Sequence, residues 1–296
     1  MKAPFHFAFF SFVAFHLLLL LYLSVAAIMV DSVSSLDLWK GLFFGLVAMS
    51  AISFWLWFRK GLLRTSDGVV EKISTKLILN VSTPMMVTTS LLLVIGWVDT
   101  LMLGVFVDDT AEIGIYNIAL KVTGLIQLGL TAVNAVSTPK FAEYHAGNNM
   151  EGLQQEILNA TKLIFAFSIP VCLVYILFPS FVLGFFGEGA QVGVGALIIL
   201  TIGRLYSAFS GSVNYVMQMT GREKANQNIM LLVIGLNIVL NYLLIPIYGI
   251  VGAAIATCVS TIFWKTIAVY WLYRQSGIIT LYLPKVVLGR LRRNRR

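Results

Sequence analysis

The stretch ILNVSTPMMVTTSLLLVIGWVDTLMLGVF, Ile78 to Phe106, places one carboxylate, Asp99, among bulky apolar residues. It is long enough to cross the hydrocarbon core of a bilayer, which takes roughly 20 residues at a rise of about 1.5 Å each. Similar runs recur along the chain, since apolar residues make up 58% of the 296 and charged residues only 11%. This composition indicates an integral membrane protein of the all-α class.

The apolar segments predict about eight transmembrane helices. The first is too long for the apolar core of a signal peptide, about 7 to 15 residues, and is interpreted as an uncleaved span. The eight candidates lie near Phe5–Val30, Gly41–Phe58, Ile78–Phe106, Ile113–Val136, Leu163–Phe186, Val194–Met217, Ile229–Ile247 and Val251–Leu272.

Loop cations lie almost entirely on one side of this eight-span arrangement. If Met1 is cytoplasmic, the opposite side carries Lys40 as its single loop cation, together with several acids. Because Lys and Arg accumulate in cytoplasmic loops, both termini are predicted to be cytoplasmic. The same rule accounts for the net charge of +8. The basic end, Leu288–Arg296, is therefore expected to contact anionic lipid headgroups rather than nucleic acid.

The sequence carries no pattern typical of catalysis or metal binding. Cys172 and Cys258 fall inside spans, so a disulfide framework is not indicated. The three histidines, His6, His16 and His145, lack the spacing that metal ligation requires. We therefore expect no enzymatic activity, no catalytic residues, no cofactor and no metal.

Polar residues form two stripes inside otherwise apolar spans. Steps of three and four residues keep each stripe on less than half of a helix circumference. The fourth span carries Asn117, Lys121, Gly124, Gln127, Thr131 and Asn134, and the sixth carries Arg204, Ser207, Gly211, Asn214 and Gln218.

Two interpretations of the stripes stay open. Polar groups can hold neighbouring helices together, at about 0.6 kcal/mol each. An isolated buried cation costs at least about 2.5 kcal/mol, which favours a hydrated cavity around Lys121 and Arg204. Lys265 lies nearer the cytoplasmic end of the last span, so its long side chain is expected to carry the ammonium to the interface.

Four motifs resemble those of one transporter family. The chain is similar to the O-antigen type of polysaccharide flippases in the multidrug/oligosaccharidyl-lipid/polysaccharide exporter superfamily. The resemblance covers Lys76 to about Gln275 and implies one six-helix lobe of a carrier that has two. The motifs are TPMMVTTSLLLVIGWVDTLMLGVF, IGIYNIALKV, MTGREKANQN and NYLLIPIYGIVGAAIAT.

The resemblance also implies a domain organisation. Residues 1–60 are expected to be two helices at the end of an incomplete N-terminal lobe, and residues 61–79 a cytoplasmic linker. Residues 80–275 form the C-terminal six-helix lobe, and residues 276–296 a basic cytoplasmic tail. The family's first four helices are expected to be absent, through truncation, a split gene or a late start.

The function implied by the resemblance is flipping of a polyprenyl-pyrophosphate-linked oligosaccharide across the bacterial inner membrane by alternating access. The product would serve cell-surface polysaccharide biosynthesis. Lys121 and Arg204 are assigned to the diphosphate, because both are cations whose N–H groups donate hydrogen bonds to phosphate oxygens. The remaining candidates for substrate binding are Asn117, Gln127, Asn134, Ser207, Asn214 and Gln218.

Asp99 has two possible roles at this stage. It forms a structural ion pair with a neighbouring cation such as Lys121, or it binds the proton or sodium ion that couples transport to a gradient. Both are compatible with a carboxylate inside a span.

Two alternative functions also stay open. A multidrug or organic-cation exporter shares the two-lobe fold, but basic cavity residues favour an anionic substrate. An accessory subunit that transports nothing is compatible with the missing lobe. The candidate partners are the lipid-linked glycan, membrane lipids, a protein that supplies the missing lobe and polysaccharide polymerase machinery.

Overall fold

The computed structural model describes residues 75–281 and scattered helical positions between residues 40 and 58. The chain divides into two compact units, Met1–Lys72 and Ile73–Arg296. The predicted helix pair at residues 1–60, the linker at 61–79 and the basic tail at 276–296 lie largely outside the described residues. The fold below is that of the second unit.

Every regular element between residues 75 and 281 is helical. Five of the described helices are long and apolar enough to cross a membrane, so the prediction of an all-α, multi-span membrane protein is confirmed. The elements are α1 (Thr75–Phe106), α2 (Thr110–Ala146), α3 (Met150–Leu177), α4 (Pro179–Gly184), a 3₁₀ turn (Glu188–Gly193), α5 (Val194–Ser210), α6 (Val213–Met219) and α7 (Glu223–Ser276).

Helix α7 is a hairpin of two spans. A straight helix of 54 residues would extend about 80 Å, far beyond a bilayer core of about 30 Å. Asn237 and Thr257 would then lie about 30 Å apart, yet Asn237 Nδ2 lies 3.5 Å from Thr257 Oγ1. The chain reverses at Gly249, where φ is 54° and ψ is −132°. This conformation favours glycine, and it separates the two predicted spans Ile229–Ile247 and Val251–Leu272.

The two limbs of the hairpin come into backbone contact at Gly252. A Cβ atom at this position would lie 2.3 Å from the carbonyl oxygen of Leu244. Gly252→Ala is therefore expected to destabilise the protein by about 1–3 kcal/mol, because the backbone has to move to accept the methyl group. Thermal unfolding in detergent measures the change as a lowered Tm.

Gly235 provides the matched control, since it is exposed on the first limb and a Cβ atom there meets nothing within 4 Å. Gly235→Ala is expected to leave Tm unchanged or to raise it slightly, because alanine is the better helix former. An equal loss of Tm in both variants would contradict a close approach at Gly252.

Two of the predicted spans are interrupted. The predicted span Leu163–Phe186 ends as a helix at Leu177, and α4 restarts at Pro179, whose ring nitrogen cannot continue the hydrogen-bond ladder. The predicted span Val194–Met217 breaks at Gly211, where φ is 66°. The sixth-span polar stripe therefore runs over two helices, α5 and α6, instead of one.

Two large clusters form most of the apolar core. One contains Leu103, Tyr116 and Ile245, and the other contains Phe141 and Val233. On α2, Tyr116 and Phe141 are 25 residues apart, which is almost 40 Å along a helix. A smaller cluster of Leu130, Ile164 and Ala208 lies between these two positions along α2.

The chain after α7 packs back into the lobe. Gln154 on α3 uses both ends of its amide: Nε2 donates to the carbonyl of Ile279 at 2.6 Å, and Oε1 accepts from the Ile279 N–H at 2.9 Å. Thr161 Oγ1 donates to the carbonyl of Thr280 at 3.0 Å. Ile278, Ile279 and Thr280 are buried, so these bonds satisfy an irregular backbone segment away from water.

Gln154→Leu is expected to lower the stability of the protein by about 2–5 kcal/mol, because a buried N–H and a buried C=O of Ile279 both lose their partner. The next residue, Gln155, is exposed, so Gln155→Leu is the control and should leave Tm unchanged. Equal Tm values for the two variants would show that the two hydrogen bonds between Gln154 and Ile279 contribute nothing to stability.

Candidate functional site: a charged cavity within the lobe

A cavity of about 310 Å³ lies between α1, α2, α5, α6 and both limbs of α7. Its wall combines apolar residues with three ionisable groups, Asp99, Arg204 and Lys265, and with several amides and hydroxyls. The polar members also include Gln127, Ser207, Ser212, Asn214, Asn237, Thr257 and Thr261. A polar cavity of this size at mid-height of a membrane lobe is typical of a binding site rather than of helix packing.

Four neutral donors converge on Asp99. The side chain is only 2% exposed. Tyr116 donates its hydroxyl to Oδ2 at 2.8 Å, and Asn241 donates Nδ2 to Oδ1 at 2.7 Å. Thr257 donates to Oδ2, and Asn237 contributes a longer contact of 3.5 Å to Oδ1. The carboxylate thus ties α1 to α2 and to both limbs of the α7 hairpin.

The bonding of Asp99 differs from the predicted ion pair with Lys121. Lys121 is exposed on α2, and it is not among the donors to Asp99. Within residues 75–281 the hydrogen bonds to this carboxylate come from neutral side chains alone. The charge is satisfied by hydrogen bonds, as a buried carboxylate requires.

The lining of the cavity includes two cationic side chains, Arg204 and Lys265. Lys265 is 4% exposed, so it does not extend to the membrane interface as the sequence predicts, and its Nζ lies 4.6 Å from the centroid of the Trp264 ring. In the described part of the chain, neither Lys265 nor Arg204 forms a salt bridge or a side-chain hydrogen bond. Two cations against one carboxylate give the lining of the cavity a net positive charge.

Other polar atoms of the cavity wall also lack a partner. Ser212 Oγ, Asn214 Oδ1 and Trp264 Nε1 are buried and form no hydrogen bond with the described residues. Buried polar groups are costly unless a partner satisfies them. These donors and acceptors, next to Arg204 and Lys265, are therefore available to a polar ligand or to water.

The structure brings part of the predicted site together. Arg204, Ser207 and Asn214 line the cavity from α5 and α6, and Gln127 lines it from α2. The other predicted residues do not line the cavity. Lys121 is exposed and Gln218 is half-buried. Asn117 accepts a hydrogen bond from Thr100 at 3.0 Å, and Asn134 is buried.

Sequence reasoning placed Lys265 at the membrane interface instead of in the cavity, and it missed the residues that hold Asp99. Asn237 and Asn241 stand four apart in an apolar run, which places them on one helix face, and this spacing was available as a signal. Tyr116 and Thr257 gave no such signal, because they come from α2 and from the second limb of α7. Their meeting depends on the reversal at Gly249.

The fold and the cavity define a polytopic α-helical membrane protein with an internal cavity whose lining carries a net positive charge. The chain belongs to the MatE family, whose model matches residues 84–243, more than half of the 296 residues. A second model, described as polysaccharide biosynthesis protein, matches residues 7–145. The predicted membership of the multidrug/oligosaccharidyl-lipid/polysaccharide exporter superfamily is thereby confirmed.

Individual relatives agree with this assignment. The chain is 27% identical over 177 residues to the probable flippase AglR of Haloferax volcanii, covering 59% of this chain and 37% of AglR. It therefore spans less than half the length of that relative. Two solved structures share the fold at a TM-score of 0.59 and 20% identity, covering 72% of this chain and 51% of each. One is an outward-facing multidrug resistance MATE family transporter; the other is a Pyrococcus furiosus transporter whose description reports a binding pocket of reverse polarity.

Proposed function

We propose that this chain is the substrate-binding lobe of a membrane transporter that flips a polyprenyl-diphosphate-linked oligosaccharide. The observation that carries the proposal is the pair of cavity cations, Arg204 and Lys265, neither of which forms a salt bridge with the described residues. A diphosphate supplies several strong acceptor oxygens to such a pair. The resemblance to AglR, a probable flippase, supports a flipping activity.

The sugar would lie against the amides and hydroxyls of the same wall. Gln127, Ser207 and Asn214 line the cavity, and Asn214 Oδ1 has no partner in the described residues. Lys121, Asn117, Asn134 and Gln218 remain sequence predictions with no contact to the cavity. The proposal places both termini in the cytoplasm on the charge distribution. It places the protein in a bacterial inner membrane on the family resemblance.

A multidrug or organic-cation exporter is the second candidate, since a multidrug resistance transporter shares the fold. Asp99 is the acidic group of the cavity lining that would attract a cation, and it stands against two cationic groups, Arg204 and Lys265. The excess of positive charge in the lining opposes a cationic substrate. The partner predictions, a protein supplying the missing lobe and polymerase machinery, add nothing to this choice and stay predictions.

A binding comparison separates the two candidates. Farnesyl diphosphate and tetraphenylphosphonium are offered to the purified protein in detergent, and equilibrium dissociation constants are measured. Farnesyl diphosphate is expected to bind at least about tenfold more tightly, because like charges in a low-dielectric site repel. Tighter binding of the phosphonium cation would overturn the proposal in favour of the exporter.

A further inference from the structure

Helix α6 is a short helix with a glycine in a positive-φ conformation near each of its ends. Gly211 precedes the helix with φ 66° and ψ −149°, a combination that is almost confined to glycine. Gly221 follows two residues after its last turn, with φ 73°. Because α6 has only seven residues, its few internal hydrogen bonds do not stabilise it by themselves. Its position therefore depends on the contacts that it makes with its neighbours.

The segment at α6 also forms part of the wall of the charged cavity. Asn214 lies on α6 and Ser212 directly precedes it, and both line the cavity together with Gly211. Ser212 Oγ and Asn214 Oδ1 are buried and have no partner among the described residues. From this wall α6 leads to Arg222 and Lys224, on the side that the charge distribution assigns to the cytoplasm. A displacement of α6 would therefore open the cavity toward that side.

One irregular segment packs against α6 and against the glycine at its start. We call residues 277–281, which follow α7, the strap. Ile278 of the strap belongs to the same buried apolar cluster as Val213 of α6. The carbonyl oxygen of Thr280 lies next to Gly211, since a Cβ atom at Gly211 would be 2.9 Å from it. The strap thus contacts the backbone at the very position where the helix is broken.

Helix α3 holds the strap in place. Gln154 forms two hydrogen bonds with the backbone of Ile279, and Thr161 Oγ1 donates to the carbonyl of Thr280 at 3.0 Å. Thr161 lies at the break as well, because a Cβ atom at Gly211 would collide with its Oγ1. The break before α6, the strap and α3 therefore meet at one point, and α6 cannot turn there while the strap stays bound to α3.

We propose that α6 is a gate of the charged cavity, hinged at Gly211 and Gly221 and held closed by the strap. A hinge is formed by a few residues that absorb a large change of φ and ψ, and glycine does so without a steric penalty. When the strap leaves α3, α6 loses the packing of Ile278 and turns about the two glycines, which exposes Ser212 and Asn214. The inference concerns access to the cavity, so it holds for an anionic and for a cationic substrate alike.

Cysteine alkylation measures whether the gate opens. Ser212→Cys places a thiol in the cavity wall, at a position that is 1% exposed. The protein in nanodiscs is treated with iodoacetamide, and modification at position 212 is quantified by mass spectrometry. Adding Gln154→Leu is expected to raise this rate at least about tenfold, because the population of the open state grows when both bonds to Ile279 are lost. Gln155→Leu, at the exposed neighbouring position, should leave the rate unchanged.

The native thiol of Cys172 distinguishes an opening gate from a general loosening of the protein. Cys172 is 1% exposed and lies in the other large apolar cluster, away from α6. Its alkylation is therefore expected to stay slow in Gln154→Leu. Faster alkylation at position 212 alone supports the gate. An unchanged rate at position 212, or an equal rise at both positions, overturns it.

A second variant keeps the test independent of how well Gln154→Leu folds. Thr161→Val keeps the shape of the side chain and removes its hydrogen bond to Thr280. The alkylation rate at position 212 is expected to rise at least about threefold, again without a change at Cys172. Thr123→Val is the matched control, because the buried Thr123 hydroxyl donates only to Leu120 of its own helix. Equal rates at position 212 in the two threonine variants would show that the strap does not hold α6.

Discussion

Replacing Arg204 and Lys265 together with glutamine is expected to weaken farnesyl diphosphate binding by at least about 100-fold. Each hydrogen bond from a charged group contributes about 1.5–3 kcal/mol, and 1.4 kcal/mol corresponds to a factor of ten in affinity. Both side chains line the cavity and neither forms a salt bridge with the described residues. Isothermal titration calorimetry on the purified protein measures the change.

The same double variant should not be less stable than the wild type. A buried cation without a partner destabilises a membrane lobe by at least about 2.5 kcal/mol, so its removal is expected to keep Tm unchanged or to raise it. Loss of binding together with retained Tm is the signature of a binding role. A lowered Tm with unchanged affinity would assign the two cations to the fold instead.

Variants of two lysines that do not line the cavity show whether the loss of affinity is specific to Arg204 and Lys265. Lys162→Gln removes an exposed charge on α3 and is expected to change affinity less than twofold. Lys121→Gln tests the sequence prediction directly, because Lys121 is exposed and does not line the cavity. A tenfold loss of farnesyl diphosphate affinity in Lys121→Gln would show that Lys121 contributes to substrate binding.

Asp99→Asn is expected to tighten anion binding and to make it independent of the coupling ion. Asp99 lines the same cavity as Arg204 and Lys265, so its negative charge opposes an anionic substrate. An ion that neutralises the carboxylate would raise the affinity for the anion, and couplings of this kind are typically 5- to 150-fold. Asparagine keeps the shape of the side chain and removes the charge.

The measurement is the dissociation constant of farnesyl diphosphate as a function of sodium concentration and, separately, of pH. In the wild type, either sodium concentration or pH should change the affinity for farnesyl diphosphate at least about fivefold. In Asp99→Asn, neither sodium concentration nor pH should change it. Asp108→Asn, at an exposed position just after α1, is the control and should behave as the wild type. An ion dependence that survives in Asp99→Asn would exclude this carboxylate as the coupling site.

Thermal stability tests the structural role of Asp99, which is the other role that the sequence left open. Four side chains donate to Asp99 and join α1, α2 and both limbs of α7. Asparagine accepts with one oxygen only, so Asp99→Asn is expected to lower Tm by more than Asp108→Asn does. A protein that no longer folds would assign Asp99 to structure, whereas a folded protein without ion dependence assigns it to coupling.

The sequence by itself determined the membrane class and the positions of most spans. A span depends on local length and composition, so Thr75–Phe106 and Thr110–Ala146 could be anticipated from apolar runs alone. The family assignment likewise depends on contiguous motifs, and it needed no knowledge of which helices touch. Arg204 and Asn214 were found because they repeat at helical spacing in one segment.

Only the tertiary structure decided which polar residues meet. Lys121 and Gln127 belong to the same polar stripe on α2, yet Gln127 lines the cavity and Lys121 is exposed. The rotation of the helix against its neighbours decides which of these side chains faces the cavity. Thr257 reaches Asp99 only because the chain reverses at Gly249. Contacts between helices depend on packing angles and chain reversals, which local sequence patterns do not encode.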